Sequence, residues 1–189
     1  MPRLPNLTDR EQLPEELRAA YDRVAAARQG AVSGPYGVLL HSPELAERTA
    51  ELGNYLRWNS VLDARQTETA VITAAREMDA ALMWDAHVRI GLKAGVPQAT
   101  IDVIAADGAL DSLEPEEAAI VGYVRELLRD HRVQEATFEA VRSRLGDQGV
   151  VDLTGLLGYY SIVGHTLNAF EIEPPEGAIP LPPRPDAGG

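Results

Sequence analysis

A glutamate and a histidine on consecutive predicted helices are the side chains of this chain best suited to chemistry. Glu68 precedes Ile72 by one helical turn, so it lies on the apolar stripe of its helix. His87 shares a face of the next helix with Met83 and is also drawn inward. A buried carboxylate is costly unless it is paired, and coupled Glu–His pairs concentrate at sites of proton transfer. Two interpretations stay open here: an acid–base site, or a structural hydrogen bond that ties two helices together.

The elements that must position this pair are predicted to be helices, because apolar residues recur at helical spacing and not in alternation. Asp63 can cap the helix of Glu68, and Gly95 is a natural stop for the helix of His87. The tail from Pro174 is too rich in proline for a helix, so we expect it to be extended and packed on a neighbour, or disordered. Helices are predicted at about residues 13–29, 43–60, 64–78, 81–94, a short stretch after Pro97, 115–130, 134–145 and 149–170.

The composition excludes several classes of site and partner. The chain has 189 residues and no cysteine, which rules out disulfides, thiolate nucleophiles, zinc–thiolate sites and iron–sulfur clusters. The net charge of -12 argues against nucleic acid as a partner. The N-terminus has no apolar signal segment and no apolar run is long enough to span a membrane, so we expect a cytoplasmic protein. The histidines are scattered without metal-ligand spacing, and we predict no metal site.

The region around the Glu–His pair resembles the carboxymuconolactone decarboxylase and alkylhydroperoxidase D family. The resemblance extends over about residues 37–170 and is densest over 62–96. Family members commonly show Arg–x–x–Glu, then Trp–x–x–His, then a helix that ends in Ala–Gly. The matching residues are Arg65 with Glu68, Trp84 with His87, and Ala94 with Gly95. Redox members carry two cysteines between the Glu and the His, and those positions here hold Ala80 and Met83, so no thiol peroxidase activity is expected.

The resemblance implies an all-α, AhpD-like helical bundle built around an antiparallel helical hairpin, and assembly into homotrimers or homohexamers. It divides the chain into an N-terminal extension with one helix (1–36), a family-like helical domain (37–170) and a proline-rich C-terminal tail (171–189). The extension either caps the pocket or widens the oligomer interface, and both alternatives stay open.

For function, the resemblance implies the decarboxylase-like branch: a carbon–carbon lyase of aromatic compound catabolism that needs no cofactor and acts on a small organic acid or lactone. In that role His87 is the general acid or base and Glu68 orients it. Isomerisation and aromatisation use the same pair and are not separated from decarboxylation. The alternative class is a non-catalytic oligomeric scaffold with a decayed site. A solvent-reachable pocket that holds the pair favours the enzyme, and a dry, packed contact favours the scaffold.

Further side chains are candidates for contact with the substrate. The predicted set is Met83, Trp84, Arg65, Tyr159 and His165. For each a structural role is the alternative, since aromatic residues often serve packing and a histidine on an apolar helix is often a satisfied core residue. A substrate carboxylate would need a cation. The arginines near the pair in sequence are Arg57, Arg65, Arg76 and Arg89.

Overall fold

The structure is a computed structural model that describes residues 2–30 and 32–184. Within these ranges the regular elements are helices and there is no β-strand, which confirms the predicted all-α class. None of these helices combines the length and the apolar character that a bilayer crossing requires. The α-helices are α1 (Glu15–Ala27), α2 (Tyr36–Leu39), α3 (Pro43–Trp58), α4 (Ala64–Glu77), α5 (Ala81–Ala94), α6 (Gln98–Ala105), α7 (Pro115–Asp130) and α8 (Glu135–Ala169).

The hairpin of α4 and α5 is the centre of the fold, and local sequence signals define both of its ends. At the start of α4 the Asp63 carboxylate accepts a hydrogen bond from the backbone N–H of Gln66, and the Gln66 side chain accepts one from the N–H of Asp63. At the end of α5 Gly95 adopts the left-handed conformation, with φ of 90°. Residues 67–76 of α4 are all buried, because α5, α7 and α8 pack around this helix.

Two apolar clusters divide the interior. The larger one is built mainly from α4 to α8. The smaller one joins α1 and α2 to α3, with Val24, Tyr36 and Leu40 among its fully buried residues. The helix α3 also contacts α8, so it connects the N-terminal unit to the rest of the molecule. The seam between the two clusters is where the candidate site lies.

The predicted boundaries are confirmed within α8 and need one correction elsewhere. The range Glu135–Ala169 consists of two helical segments that meet at a kink at Gly146, where φ is 71° and ψ is 174°, so the predicted end of one helix at this glycine and the start of a second helix after it are confirmed. Glycine tolerates this conformation because it has no Cβ, so the chain can change direction between the two segments. Around residues 33–37, where a plain break was predicted, the chain forms the single turn α2.

The C-terminal tail is not helical over 173–184, as predicted, and it docks on its own chain. The backbone N–H of Ile179 donates to Asp85 at 2.7 Å, and Ile179 and Leu181 pack against the larger cluster. Arg184 donates to the main-chain carbonyls of Arg76 and Glu77 at 3.0 and 2.8 Å. The tail therefore acts as a strap across the α4–α5 hairpin, and its last residues, 185–189, lie outside the described part of the chain.

Candidate active site

The hairpin brings Glu68 and His87 into direct contact. Oε2 of Glu68 and Nδ1 of His87 are 2.6 Å apart, and both side chains are buried. Gly91, one turn after His87, permits this approach of the two helices. A Cβ on Gly91 would lie 2.6 Å from Cδ1 of Ile72 on α4, closer than side chains tolerate. The short distance identifies a direct hydrogen bond, which fixes the orientation of the imidazole ring.

A cavity of about 320 Å³ lies on the other side of His87. His87 is part of its wall, whereas Glu68 is not among the lining residues and lies behind the imidazole. Because Nδ1 is engaged by Glu68, Nε2 on the opposite edge of the ring is the atom available to a ligand. The imidazole thus has a carboxylate on one edge and the cavity on the other, which is the geometry that a general acid or base with an orienting carboxylate requires.

The N-terminal segment forms one wall of the cavity, through Arg28 and residues 33–36. The hydroxyls of Tyr36 and Tyr159 are 3.0 Å apart in a buried contact that joins this wall to α8. The guanidinium of Arg28 lies over the Tyr36 ring at 4.0 Å from its centroid. Burial is the main reason that the pKa of Tyr36 is raised far above its usual value, so this phenol stays neutral. The extension thus contributes to the wall of the cavity, and its role at an oligomer interface stays a prediction.

Arg57 is the arginine that the fold brings to the pair. It extends from α3, lines the cavity, and holds Nη2 at 3.8 Å from Oε1 of Glu68. Its Nε is buried and has no hydrogen-bond partner among the described residues. Burial disfavours the charge of Arg57, but the nearby Tyr160 hydroxyl and Glu68 carboxylate outweigh this, and the pKa of Arg57 is raised. Arg57 is therefore a permanent cation beside the cavity.

The other three arginines that were candidates for a substrate carboxylate are engaged elsewhere. Arg65 donates through Nε to Glu117 at 3.0 Å, and a second, shorter contact from Nη2 reaches the same oxygen. The fully buried Arg76 pairs with Asp79, and Arg89 pairs with Asp85. None of the three lines the cavity. The predicted contact of Arg65 with the substrate is therefore not supported, because Arg65 faces α7 and not α8.

Among the remaining predicted contacts, Met83 and Tyr159 line the cavity, whereas Trp84 and His165 do not. Trp84 follows Met83 by one position, so its side chain is rotated by about 100° around α5, and it is buried in the larger cluster. His165 is five positions after Tyr160 on α8, roughly 140° around that helix, and it is exposed. Contrary to the prediction, these two residues lie outside the cavity, because helical geometry turns their side chains away from it.

Tyr160 lines the cavity but is not in the set of contacts predicted from the sequence. Its ring meets the His87 ring edge to face, with centroids 5.1 Å apart and planes at 90°. Burial raises the pKa of Tyr160 well above its usual value, and its hydroxyl has no hydrogen-bond partner among the described residues. The sequence signal that could have identified Tyr160 as a site residue is its position next to Tyr159.

In the described ranges no three His, Asp or Glu side chains come together as metal ligands.

Comparison with known proteins agrees with this architecture. Residues 43–126, which include both members of the Glu–His pair, match the model of the Carboxymuconolactone decarboxylase family. A crystal structure from Agrobacterium tumefaciens superposes with a TM-score of 0.65 at 20% sequence identity, over 73% of this chain and 95% of that chain. That protein is of unknown function and is described as a candidate antioxidant defence protein, AhpD. No curated protein matches the chain. The predicted family resemblance and the AhpD-like fold are thus confirmed.

Proposed function

We propose that this chain, whose residues 43–126 match the model of the Carboxymuconolactone decarboxylase family, is a cofactor-independent acid–base enzyme acting on a small oxygenated acid or lactone. One observation carries the proposal: His87 is on the wall of a cavity, with Glu68 bonded to its far side at 2.6 Å. A carbon–carbon lyase step in the breakdown of aromatic compounds is the reaction we favour. A structural pair in a scaffold would have no need of a cavity at the free edge of the imidazole.

The decarboxylation requires one proton at carbon. The bond between the substrate carbon and its carboxylate breaks, carbon dioxide leaves, and the electron pair moves onto the conjugated system. His87 then delivers a proton from Nε2 to the carbon, and is reprotonated from solvent. Glu68 holds the ring in one tautomer and stabilises the imidazolium form. Isomerisation and aromatisation of related acids move a proton at carbon in the same way.

Arg57 supplies the charge that an acidic substrate needs. The chain as a whole carries a net charge of -12, so it repels anions at long range. A cation at the cavity, 3.8 Å from the Glu68 carboxylate, offers a local site for the substrate carboxylate. Thiol chemistry has no place in this scheme, because the chain has no cysteine. We expect no reduction of an organic hydroperoxide with a dithiol donor above the rate of a heat-killed control.

The experiment begins with a screen of small lactones and keto acids by thermal shift, since a ligand of the native state raises the melting temperature. On the substrate found, His87→Ala and His87→Gln should each lower kcat by about 10² to 10⁴. Glu68→Gln should cost less, because it keeps a hydrogen-bonding partner for the ring. His165→Ala removes an exposed histidine outside the cavity and is the matched control. Full kcat in both His87 variants with an unchanged oligomer mass would show that the assignment is wrong.

A further inference from the structure

The cavity has one charged end and one apolar end. Tyr160 and His87 are in contact at the charged end, and the positive charges of Arg57 and Arg28 both act on the Tyr160 hydroxyl. On α8, Leu167 lies two helical turns beyond Tyr160, a rise of about 10 Å. On α5, Leu82 lies more than one turn before His87. Both leucines line the cavity, so it runs between the antiparallel helices from the charged end to this leucine pair.

The walls between the two ends are apolar. On α5 and α8 the side chains that line this part of the cavity are Leu82, Met83, Ala86, Val163 and Leu167. Burial of such surface by a ligand is worth about 25 cal/mol per Å², whereas a carboxylate placed against it would lose its hydration without a partner. The charged end is thus suited to the carboxylate of a ligand, and the rest of the cavity to an uncharged, apolar part of the same ligand.

A second cavity, of about 240 Å³, lies next to the far end and shares Leu82 and Leu167 with the first as lining residues. Its lining includes the acidic side chains of Asp79, Glu171 and Glu173, and no Lys, Arg or His among the described residues. Asp79 pairs with Arg76 and Arg184, and Glu171 pairs with Arg3, so the arginines near this opening are already engaged by carboxylates. An anionic group that reached past the two leucines would meet these carboxylates, and among the described residues no lining side chain is a cation that could pair with it.

We propose that this site takes monocarboxylates with an apolar body, and discriminates against acids that carry a second carboxylate at the distal end. The inference rests on the proposed function only in taking this cavity as the substrate site. The carboxylate lies at Arg57, next to His87, and the apolar body extends along α5 and α8 to Leu82 and Leu167. The substrate of the enzyme is then an amphipathic monoacid, and its reacting carbon is close to the carboxylate.

Binding of unreactive acids tests this preference without any turnover. Calorimetric titration with butyrate, hexanoate and adipate separates the effect of apolar chain length from the effect of a distal carboxylate. Butyrate and hexanoate differ in chain length, whereas hexanoate and adipate have the same number of carbons and differ in the distal group. We expect affinity to rise about two- to fourfold for each methylene from butyrate to hexanoate. Adipate should bind at least about tenfold more weakly than hexanoate. Adipate binding as tightly as hexanoate, no dependence on chain length, or no binding of any acid would each overturn the proposal.

A charge placed at the far end should reverse the preference. Leu82→Lys supplies a cation where the distal carboxylate of adipate would lie, and should raise adipate affinity about tenfold while lowering that of hexanoate. Leu92→Lys adds the same charge to the same helix at an exposed residue outside the cavity, and should change neither. Equal effects of the two variants would contradict the placement of the ligand. His87→Gln should retain hexanoate binding, so a failure of the ligand preference is distinguishable from a failure of the catalytic assignment.

Discussion

Replacement of Glu77 by glutamine should destabilise the fold by removing the charge at the centre of an arginine cluster. Glu77 ends α4, the helix that carries Glu68, and its side chain is only 2% exposed. Both carboxylate oxygens accept from Arg129, at 2.6 and 2.7 Å. Nη1 of Arg184, from the tail, lies 3.7 Å away, and Nε of Arg125 lies 3.9 Å away. A negative charge at a helix C-terminus is unfavourable by itself, so these arginines are what hold it there.

The expected loss of unfolding free energy depends on the interactions that the arginines retain in Glu77→Gln. Loss of one partner of a fully buried ion pair typically costs about 3–5 kcal/mol, because the other charge stays buried without compensation. Here Nη2 of Arg129 also donates to Asp107 at 2.6 Å, and the Arg129 side chain is 36% exposed, so water and Asp107 recover part of the loss. We therefore expect Glu77→Gln to lower the free energy of unfolding by about 2–3 kcal/mol, below that range.

Urea unfolding followed by circular dichroism at one fixed protein concentration measures this difference, since assembly makes stability depend on concentration. For a chain of this size, the melting temperature should fall by about 4–12 °C. Glu139→Gln is the control: Glu139 pairs with Arg142 at 3.2 Å on the surface, and its loss should cost no more than about 0.5 kcal/mol. If Glu77→Gln and Glu139→Gln are equally stable, the reasoning about the buried cluster is refuted.

Three further predictions concern the tail, acid stability and assembly. Deletion of the chain after Phe170 should lower the melting temperature by several degrees, because the apolar contacts and the Arg184 hydrogen bonds are lost; an unchanged value would contradict docking. Burial opposes ionisation of Asp107, but hydrogen bonding and charge from Arg129 outweigh it, and the pKa of Asp107 is lowered from 3.8. The charge of Asp107 therefore stabilises the protein fully above the pKa that this group has in the unfolded state, and the stabilisation disappears as pH falls through its pKa in the folded state. In Asp107→Asn, stability to urea should therefore decrease less steeply on acidification. Val151 and Trp58 are exposed apolar residues, and we expect them to be covered in a trimer or hexamer; light scattering that shows a stable monomer at micromolar concentration would exclude this.

The helices and the inward placement of the Glu–His pair could be predicted from the sequence, because both depend on signals that are local along the chain. The capping residue Asp63 and the stop at Gly95 define the ends of the hairpin through hydrogen bonds within a few residues. The period of apolar residues places Glu68 and His87 on inward faces, and the short connection between their helices leaves few ways to pack them. The absence of cysteine excludes thiol chemistry whatever shape the chain adopts, since no fold can supply a side chain that the sequence lacks.

Which other side chains share the cavity depends on how the helices pack together, and the sequence alone does not predict it. Arg57 and Tyr36 come from elements outside the hairpin, and their positions depend on how α3 and α2 pack against α8. Of four arginines that were equivalent in sequence, three pair with carboxylates away from the cavity, and Arg57 lies at the cavity with its Nη2 at 3.8 Å from Glu68. Such partnerships form between residues far apart in the chain, and they depend on the relative placement of whole helices. Local periodicity gives the face on which a side chain lies, but not the neighbour that it meets there.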